Sequence, residues 1–171
     1  MKADFNVKKS FPPVVPDRIK ILILGSMPGE ASLRAAQYYA HPRNAFWPIM
    51  AEICGFPAEL PYAERLEELK RHQIALWDVL ANCVRQGSLD SAIREARCNR
   101  IPELLARHPE TIKIFCNGNT ACGYLKRAFG CILNKYEAET LPSTSPANAR
   151  LGFEAKLQIW RSKIAPYLNG E

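Results

Sequence analysis

The chain has 171 residues, 47% of them hydrophobic, so it is long enough to bury one substantial core and too short for two comfortable domains. No apolar run approaches the length of a membrane span, and the N-terminus lacks the apolar segment of a signal peptide, so we expect a cytoplasmic protein without membrane contact. Lysine and arginine number 23 against 17 acidic residues, a formal charge of +6. This excess suits a polyanionic partner, although a solubilising surface charge explains it equally well.

The N-terminal 18 residues are predicted to form an arm, because Pro12, Pro13 and Pro16 disfavour regular structure. We assign residues 19–171 to a single domain. The apolar run at 19–24, interrupted by one lysine, is typical of a strand that helices cover on both faces.

The elements that follow are predicted from apolar periodicity and from end signals. Further strands are expected at 74–80, 111–116 and 137–141, and helices at 44–54, 62–71, 88–97, 102–107, 120–129 and 153–168. Asn44 and Ser88 are candidate caps of their helices, and Gly130 is the expected stop of the helix at 120–129.

Strands that alternate with helices predict an α/β fold with a parallel sheet and helices on both faces. The carboxyl ends of the four strands then lie at one edge of the sheet, where α/β proteins bind their ligands. We therefore expect residues 25–29, 78–85, 117–119 and 142–149 to converge there.

Six cysteines are scattered along the chain without a CxxC pair. Several fall inside apolar runs, where cysteine behaves as a small hydrophobic residue. Because a structural zinc site usually contains a close cysteine pair, we expect buried free thiols, no metal and no cofactor.

The segment from Gly25 to Trp47 is longer than a simple connection requires, which suggests a binding role. Its glycines resemble a phosphate-binding loop but lack the lysine of a P-loop and the spacing of a dinucleotide-binding loop. A hydrolytic triad of Ser26 or Ser143 with His41 and Asp78 is also conceivable. However, neither serine lies in the GxSxG sequence that positions such a nucleophile.

Two motifs are more specific: GSMPG followed by YYAHPRNAFW after the first strand, and LPSTSPANA after the last. Together they resemble the signature loops of the uracil-DNA glycosylase superfamily, closest to its hypoxanthine-DNA (DNA-deoxyinosine) glycosylase branch. The resemblance extends over about 18–160 and implies a three-layer α/β/α sandwich on a four-stranded parallel sheet. It also implies a glycosylase that flips a nucleotide out of double-stranded DNA and cleaves the bond between base and sugar.

Most of the superfamily has aspartate or asparagine at the third position of the first motif, where this chain has Met27. A thioether cannot activate water, so uracil excision is in doubt. In the hypoxanthine branch the asparagine of HPRN is taken to be catalytic, which points to Asn44. Its amide oxygen can orient a water but is a weak base. Asn44 alternatively serves only as the cap of the following helix.

The resemblance also implies a base-binding pocket. Tyr39 matches the aromatic residue that stacks on the flipped base, whereas Phe46 and Trp47 fit the helix core better. The base-binding set predicted on this ground comprises Ser26, Met27, Tyr39, His41 and Asp78. The alternatives are a structural role for Tyr39 and His41 and a capping role for Asp78.

The second motif supplies hydroxyl groups and rigid proline-containing backbone, which suit phosphate contacts. In relatives this loop also inserts a residue into the gap left by the flipped base. Leu141 stands where uracil-specific relatives often have histidine, which again favours another base. The predicted DNA contacts are Arg43, Gly118, Ser143, Ser145, Ala147 and Asn148, with the last two near the wedge. A solvated turn is the alternative for the serines.

We therefore predict a monomeric, monofunctional DNA glycosylase of base excision repair that acts first on hypoxanthine and associates with the nucleoid through DNA. No lysine lies in a signature loop, so no Schiff-base step is expected. The alternatives are a mismatch-specific uracil or thymine glycosylase, a non-catalytic DNA-damage-binding relative, and, with least support, a small-molecule hydrolase.

Overall fold

The computed structural model describes residues 7–168. Within these residues two 3₁₀ turns, Asp90–Ala92 and Gly130–Asn134, accompany the strands and helices. The strands and helices are β1 Val7–Lys9, β2 Ile21–Gly25, α1 Glu30–Ala35, α2 Phe46–Cys54, α3 Tyr62–Arg71, β3 Ile74–Asp78, β4 Leu80–Val84, β5 Arg94–Cys98, α4 Ile101–Arg107, β6 Lys113–Asn117, α5 Asn119–Phe129, β7 Glu137–Leu141 and α6 Phe153–Leu168.

Four strands form the predicted parallel sheet, in the order β3-β2-β6-β7. Side chains of β2 alternate between two cores, as the pleat of a strand requires. Ile21 and Ile23 pack with residues of α2, α3 and α6, whereas Leu22 and Leu24 pack with residues of α4 and α5. The apolar run is thus continuous because both faces are covered. The three-layer α/β/α prediction is confirmed, and the four strands lie within two residues of their predicted bounds.

A second, antiparallel sheet was not predicted; its strand order is β1-β4-β5. The predicted helix at 88–97 is wrong, because the segment holds a 3₁₀ turn followed by β5. β5 pairs with β4, with Cys98 opposite Leu80. Ile93 is buried against Leu80 and Cys83. Pairing with a distant strand outweighs the local helical spacing here, since strand preference depends strongly on such contacts.

The N-terminal arm contains regular structure, contrary to expectation. β1 pairs antiparallel with β4, with Val7 opposite Val84. Val14 also exchanges two backbone hydrogen bonds with Leu76, at 2.8 and 3.0 Å. The prolines disfavour a helix, but they leave residues 7–9 free to donate to a neighbouring strand.

Three smaller expectations are also corrected. The short helix α1 lies inside the segment predicted as a loop. α5 ends at Phe129 as expected, but Gly130 is right-handed (φ −52°) and begins a 3₁₀ turn instead of closing the helix in the left-handed conformation. The six thiols are free, but burial is complete only for Cys83, Cys116 and Cys122, and Cys131 is exposed.

Candidate active site

A cavity of ≈ 390 Å³ lies at the carboxyl edge of the parallel sheet, where the strand-end loops were expected to converge. Its lining comes from the first motif, from Asp78 after β3, from residues 88–90, from the β6–α5 junction and from the second motif. The predicted site residues among its lining are Ser26, Met27, Tyr39, His41, Asn44, Asp78, Gly118, Ser143, Ser145, Ala147 and Asn148. Arg43 is exposed and does not belong to the lining.

Gly25, Tyr39 and Asp78 meet at the inner end of the cavity. A side chain at Gly25 would overlap Asp78 Oδ1, and its Cβ would lie 2.9 Å from Tyr39 Oη. Only glycine leaves room for both polar groups at the end of β2. Asp78 Oδ2 and Tyr39 Oη are buried and have no hydrogen-bond partner among the described residues. Because buried polar atoms are normally satisfied, this pair is suited to a polar ligand.

Asp78 is 3% exposed. Burial, supported by the negative charge of Asp90, raises the pKa of Asp78 to about 7, although the Arg85 guanidinium lowers it. The carboxyl group is therefore poised between its acid and carboxylate forms near neutral pH. No hydrogen bond connects the Asp78 side chain to a helix start, so its predicted alternative role as a cap finds no support among the described residues.

Tyr39 presents its ring to the cavity in a fixed orientation. Its backbone is left-handed (φ 54°), an uncommon conformation for a bulky residue. The ring stacks on Phe46 with 4.1 Å between centroids, so the core covers one of its faces. Burial and the nearby Asp78 charge raise the pKa of Tyr39, which keeps the phenol neutral. Phe46 and Trp47 are themselves buried, which confirms their predicted core location.

The N-cap residue of α2 is Ala45, one residue later than predicted, but the side chain of Asn44 still contacts the start of the helix. Its Oδ1 accepts a hydrogen bond of 3.0 Å from Phe46 N, in the first turn of α2. An amide oxygen has two lone pairs, so this bond leaves one for another donor in the cavity. Asn44 N also donates to His41 O at 2.9 Å.

His41 braces the same turn through its side chain. Arg43 N donates to His41 Nδ1 at 3.1 Å, so this ring nitrogen is the acceptor of the contact. Its location in the cavity lining leaves the other ring nitrogen as the candidate for ligand contact. The structural role predicted for His41 as an alternative is therefore present.

Met27 combines two environments. It is buried against Leu80, Cys83 and Ile93, in the small core under the antiparallel sheet, and it also contributes to the cavity lining. This packing was missed from sequence because β4 and β5 were not predicted as strands.

The tip of the β4–β5 connection holds the first motif in place. Ser26 Oγ donates to Asp90 Oδ1 at 2.9 Å, and Glu30 N donates to Ser88 Oγ at 2.9 Å. The buried guanidinium of Arg85 donates to Pro28 O. Ser88 thus contacts the first turn of α1 and does not cap a helix of its own. Of these residues, Ser88 and Asp90 were not predicted to belong to the site.

The second motif is rigid because its polar groups bond to one another. Ser145 N donates to Ser143 Oγ and Ala147 N to Ser145 Oγ, both at 3.2 Å, and Asn148 Nδ2 donates to Ser143 O at 3.1 Å. Lys156 Nζ donates to Asn148 O at 2.9 Å. Each serine hydroxyl keeps its own proton available for a donor contact.

Gly118 lies where β6 turns into α5, in a left-handed conformation (φ 95°) that favours glycine. A Cβ at this position would lie 3.1 Å from Ser143 Cβ. The glycine therefore allows the second motif to approach the start of α5 closely.

No group of three or more histidine, cysteine, aspartate or glutamate side chains within residues 7–168 is arranged to hold a metal ion. None of the helices in the same range combines the length and the apolar composition that crossing a membrane requires.

The fold and the site together define the class of protein. It is a three-layer α/β/α protein whose cavity lies at the carboxyl edge of the parallel sheet, between two motif loops, with buried polar groups at its inner end. The sequence model of the uracil DNA glycosylase superfamily matches residues 12–167. The chain belongs to this superfamily.

Similar proteins agree with this assignment. The chain is 40% identical to a hypoxanthine DNA glycosylase of Methanosarcina barkeri, over 84% of its length and 89% of the relative. A protein of the same name from Methanosarcina acetivorans is 38% identical, over 84% and 90% of the two chains. The solution NMR structure of a candidate uracil DNA glycosylase from Methanosarcina acetivorans superposes with a TM-score of 0.80 at 35% identity, covering 94% of this chain and 98% of that one.

Proposed function

We propose that the protein is a DNA glycosylase of base excision repair that flips deoxyinosine out of double-stranded DNA and hydrolyses its N-glycosidic bond, releasing hypoxanthine. The observation that carries this proposal is the convergence of both motifs on one cavity whose inner end holds two unpartnered buried polar atoms, Asp78 Oδ2 and Tyr39 Oη. The choice of hypoxanthine as the released base is supported by the names of the two Methanosarcina relatives, which are hypoxanthine DNA glycosylases.

Tyr39 and Asp78 would recognise the flipped base. Tyr39 lines the cavity, and its ring would stack on the flipped base, a contact worth about 1–3 kcal/mol per base. The ionised Asp78 carboxylate can accept a hydrogen bond from N1–H of hypoxanthine. Adenine lacks this proton, so the same contact disfavours the undamaged base.

Asn44 would orient the attacking water. One lone pair of its Oδ1 accepts from Phe46 N, and the other can accept from a water beside the sugar. As the bond between C1′ and the base breaks, the sugar gains positive charge and the base takes the electron pair. The water oxygen then bonds to C1′, and the proton that the water loses is balanced by one taken up by the released base, which leaves as neutral hypoxanthine. An amide is too weak a base to drive this step, so its contribution is mainly positioning.

The second motif and the start of α5 would hold the DNA backbone. Ser143 and Ser145 retain hydroxyl protons for phosphate oxygens, and the amides that begin α5 after Gly118 are suited to an anion. Arg43, outside the cavity lining, fits a phosphate contact farther along the duplex. We further propose that the protein acts as a monomer in the cytoplasm, on nucleoid DNA.

The proposal is tested by incubating purified protein with duplexes that contain deoxyinosine, xanthine, uracil or a G·T mismatch, followed by alkaline cleavage of abasic sites. We expect the fastest release from deoxyinosine. Faster release from G·U or G·T would instead identify a mismatch-specific glycosylase. Salt-sensitive DNA binding without any release, in an assay where a reference glycosylase works, would identify a non-catalytic relative.

A further inference from the structure

Leu89 is an apolar side chain at the mouth of the cavity that the recognition and cleavage steps do not use. It is 58% exposed, the largest exposure among the bulky apolar side chains of residues 7–168. Leu89 contributes to the cavity lining, whereas the other exposed bulky apolar residues, Val7, Ile112 and Phe153, do not. Leu89 is therefore the exposed bulky apolar side chain that a ligand at the cavity would cover, and covering it would remove apolar surface from water.

The backbone on both sides of Leu89 is held against the first motif. Ser88 Oγ accepts a hydrogen bond from Glu30 N, and Asp90 Oδ1 accepts one from Ser26 Oγ, both at 2.9 Å. Arg85, earlier in the same connection, is 1% exposed and donates to Pro28 O. Leu89 is therefore presented by a braced turn, and its position relative to the cavity is set before any ligand binds.

The second motif, on which a wedge was expected, has no exposed apolar side chain of comparable size, since its leucine, Leu141, is buried. Its apolar contributions to the cavity lining are Pro146 and Ala147. Asn148 is engaged through its amide with Ser143 O and through its carbonyl with Lys156. A methyl group and a proline ring fill less of a base-sized gap than leucine, and an amide does not replace apolar stacking surface.

We propose that Leu89 inserts into the gap that the flipped nucleotide leaves in the duplex, so that the β4–β5 connection supplies the wedge. This inference rests on the proposed function. Extruding a base costs the stacking of its neighbours, and apolar side chains that enter a base step compensate for that loss. The second motif then keeps the phosphate contacts, and both loops, which line the same cavity, contact the duplex.

The test compares Leu89→Ala with Ile112→Ala. Ile112 is a matched control because it is 57% exposed, similar in size, and located just before β6, at the end of the sheet away from the cavity. Excision is measured on the same deoxyinosine strand as a duplex and as a single strand. A single strand has no gap to fill, so a wedge raises the ratio of duplex to single-strand kcat/KM.

We expect Leu89→Ala to lower this ratio about tenfold, equivalent to about 1.4 kcal/mol. Ile112→Ala should leave the ratio unchanged, and Leu89→Met should keep most of it because methionine preserves the apolar reach. An unchanged ratio in Leu89→Ala, or a tenfold drop in Ala147→Gly instead, would overturn the proposal.

A second measurement separates this inference from the proposed function. The fluorescence of 2-aminopurine placed beside deoxyinosine rises when the neighbouring base leaves the stack, whether or not the base is released. Leu89→Ala should reduce this rise and Ile112→Ala should not; equal signals in the two variants would contradict the wedge. Absence of base release from wild-type protein would contradict the proposed function alone, since the fluorescence comparison still decides the role of Leu89.

Discussion

The Asn117 carboxamide holds Thr144 through two hydrogen bonds: Nδ2 donates to Thr144 Oγ1, and Oδ1 accepts from Thr144 N, each at 2.9 Å. Both residues are buried. Thr144 O in turn accepts from Ala45 N at 3.0 Å, next to Asn44. The end of β6, the second motif and the start of α2 are therefore joined at one threonine.

Replacing Thr144 with valine should destabilise the protein, because it leaves the buried Asn117 Nδ2 without an acceptor. A buried unsatisfied donor costs about 1–3 kcal/mol, and each kcal/mol lowers the Tm of a chain of this size by about 2–4 °C. Thr144→Ser is the matched control, since it keeps the hydroxyl. Thermal unfolding of the two variants is the measurement. A valine variant as stable as the serine variant would show that the hydroxyl contact contributes nothing.

Variants of Asn44 should separate its capping contact from its proposed role with water. Asn44→Ala removes both functions, and we expect kcat on deoxyinosine to fall by about 100-fold or more, with a loss of about 1 kcal/mol in stability. Asn44→Ser retains a capping oxygen but has no amide group to reach the water. Single-turnover kinetics and thermal unfolding should therefore show a stable but slow serine variant. If Asn44→Ser instead kept both wild-type stability and wild-type kcat, the role of Asn44 would be helix capping alone.

The stability of the protein should depend on pH through Asp78. Its folded-state pKa of about 7 lies above the ordinary value near 4. Between pH 4 and pH 7 the folded protein therefore keeps a proton on Asp78 that the unfolded chain has released. The stabilisation from this proton is complete below about pH 4 and is lost as the pH rises through 7. Asp78→Asn should then be more stable than wild type at pH 8, by about 1.4 kcal/mol for each unit of pKa shift removed.

Urea denaturation of wild type and Asp78→Asn at pH 4 and pH 8 measures this difference. Other titrating groups are common to both proteins, so they largely cancel in the comparison. A stability difference that is the same at both pH values would contradict the raised pKa.

Substitutions of Tyr39 should distinguish its ring from its hydroxyl group. Tyr39→Phe keeps the surface that stacks on Phe46 and removes a buried oxygen without a partner, so stability should stay the same or increase. Tyr39→Ala removes the proposed stacking surface, so we expect it to lose about 1–3 kcal/mol of binding free energy. This loss corresponds to about 5- to 150-fold weaker binding of a flipped base. Titration of a duplex that contains a non-cleavable deoxyinosine analogue measures this difference. Equal affinity of Tyr39→Phe and Tyr39→Ala would show that the ring of Tyr39 does not contribute to base recognition.

Much of the fold was predictable because its signals are local. The runs that form β2, β3 and β6 are apolar on both faces, which indicates a sheet covered by helices, and the apolar stripe of α6 is regular from Leu157 to Ile164. The antiparallel sheet was not predictable in the same way. Residues 88–97 have a helical spacing, and only their pairing with β4, set by the rest of the fold, makes them part of a strand.

The sequence by itself determined the parallel sheet, the edge at which the strand-end loops meet, and the two motifs that place the chain in its superfamily, because each depends on residues close together in the chain. Only the tertiary structure decided the surroundings of these residues. The raised pKa of Asp78 depends on its burial among other segments, and the hydrogen bonds between Asn117 and Thr144 join segments that are distant in sequence. The stacking of Tyr39 on Phe46 lies within one motif, but it depends on how the loop folds back on the helix. Burial, charge and hydrogen-bond distance are properties of that packing, and no local pattern contains them.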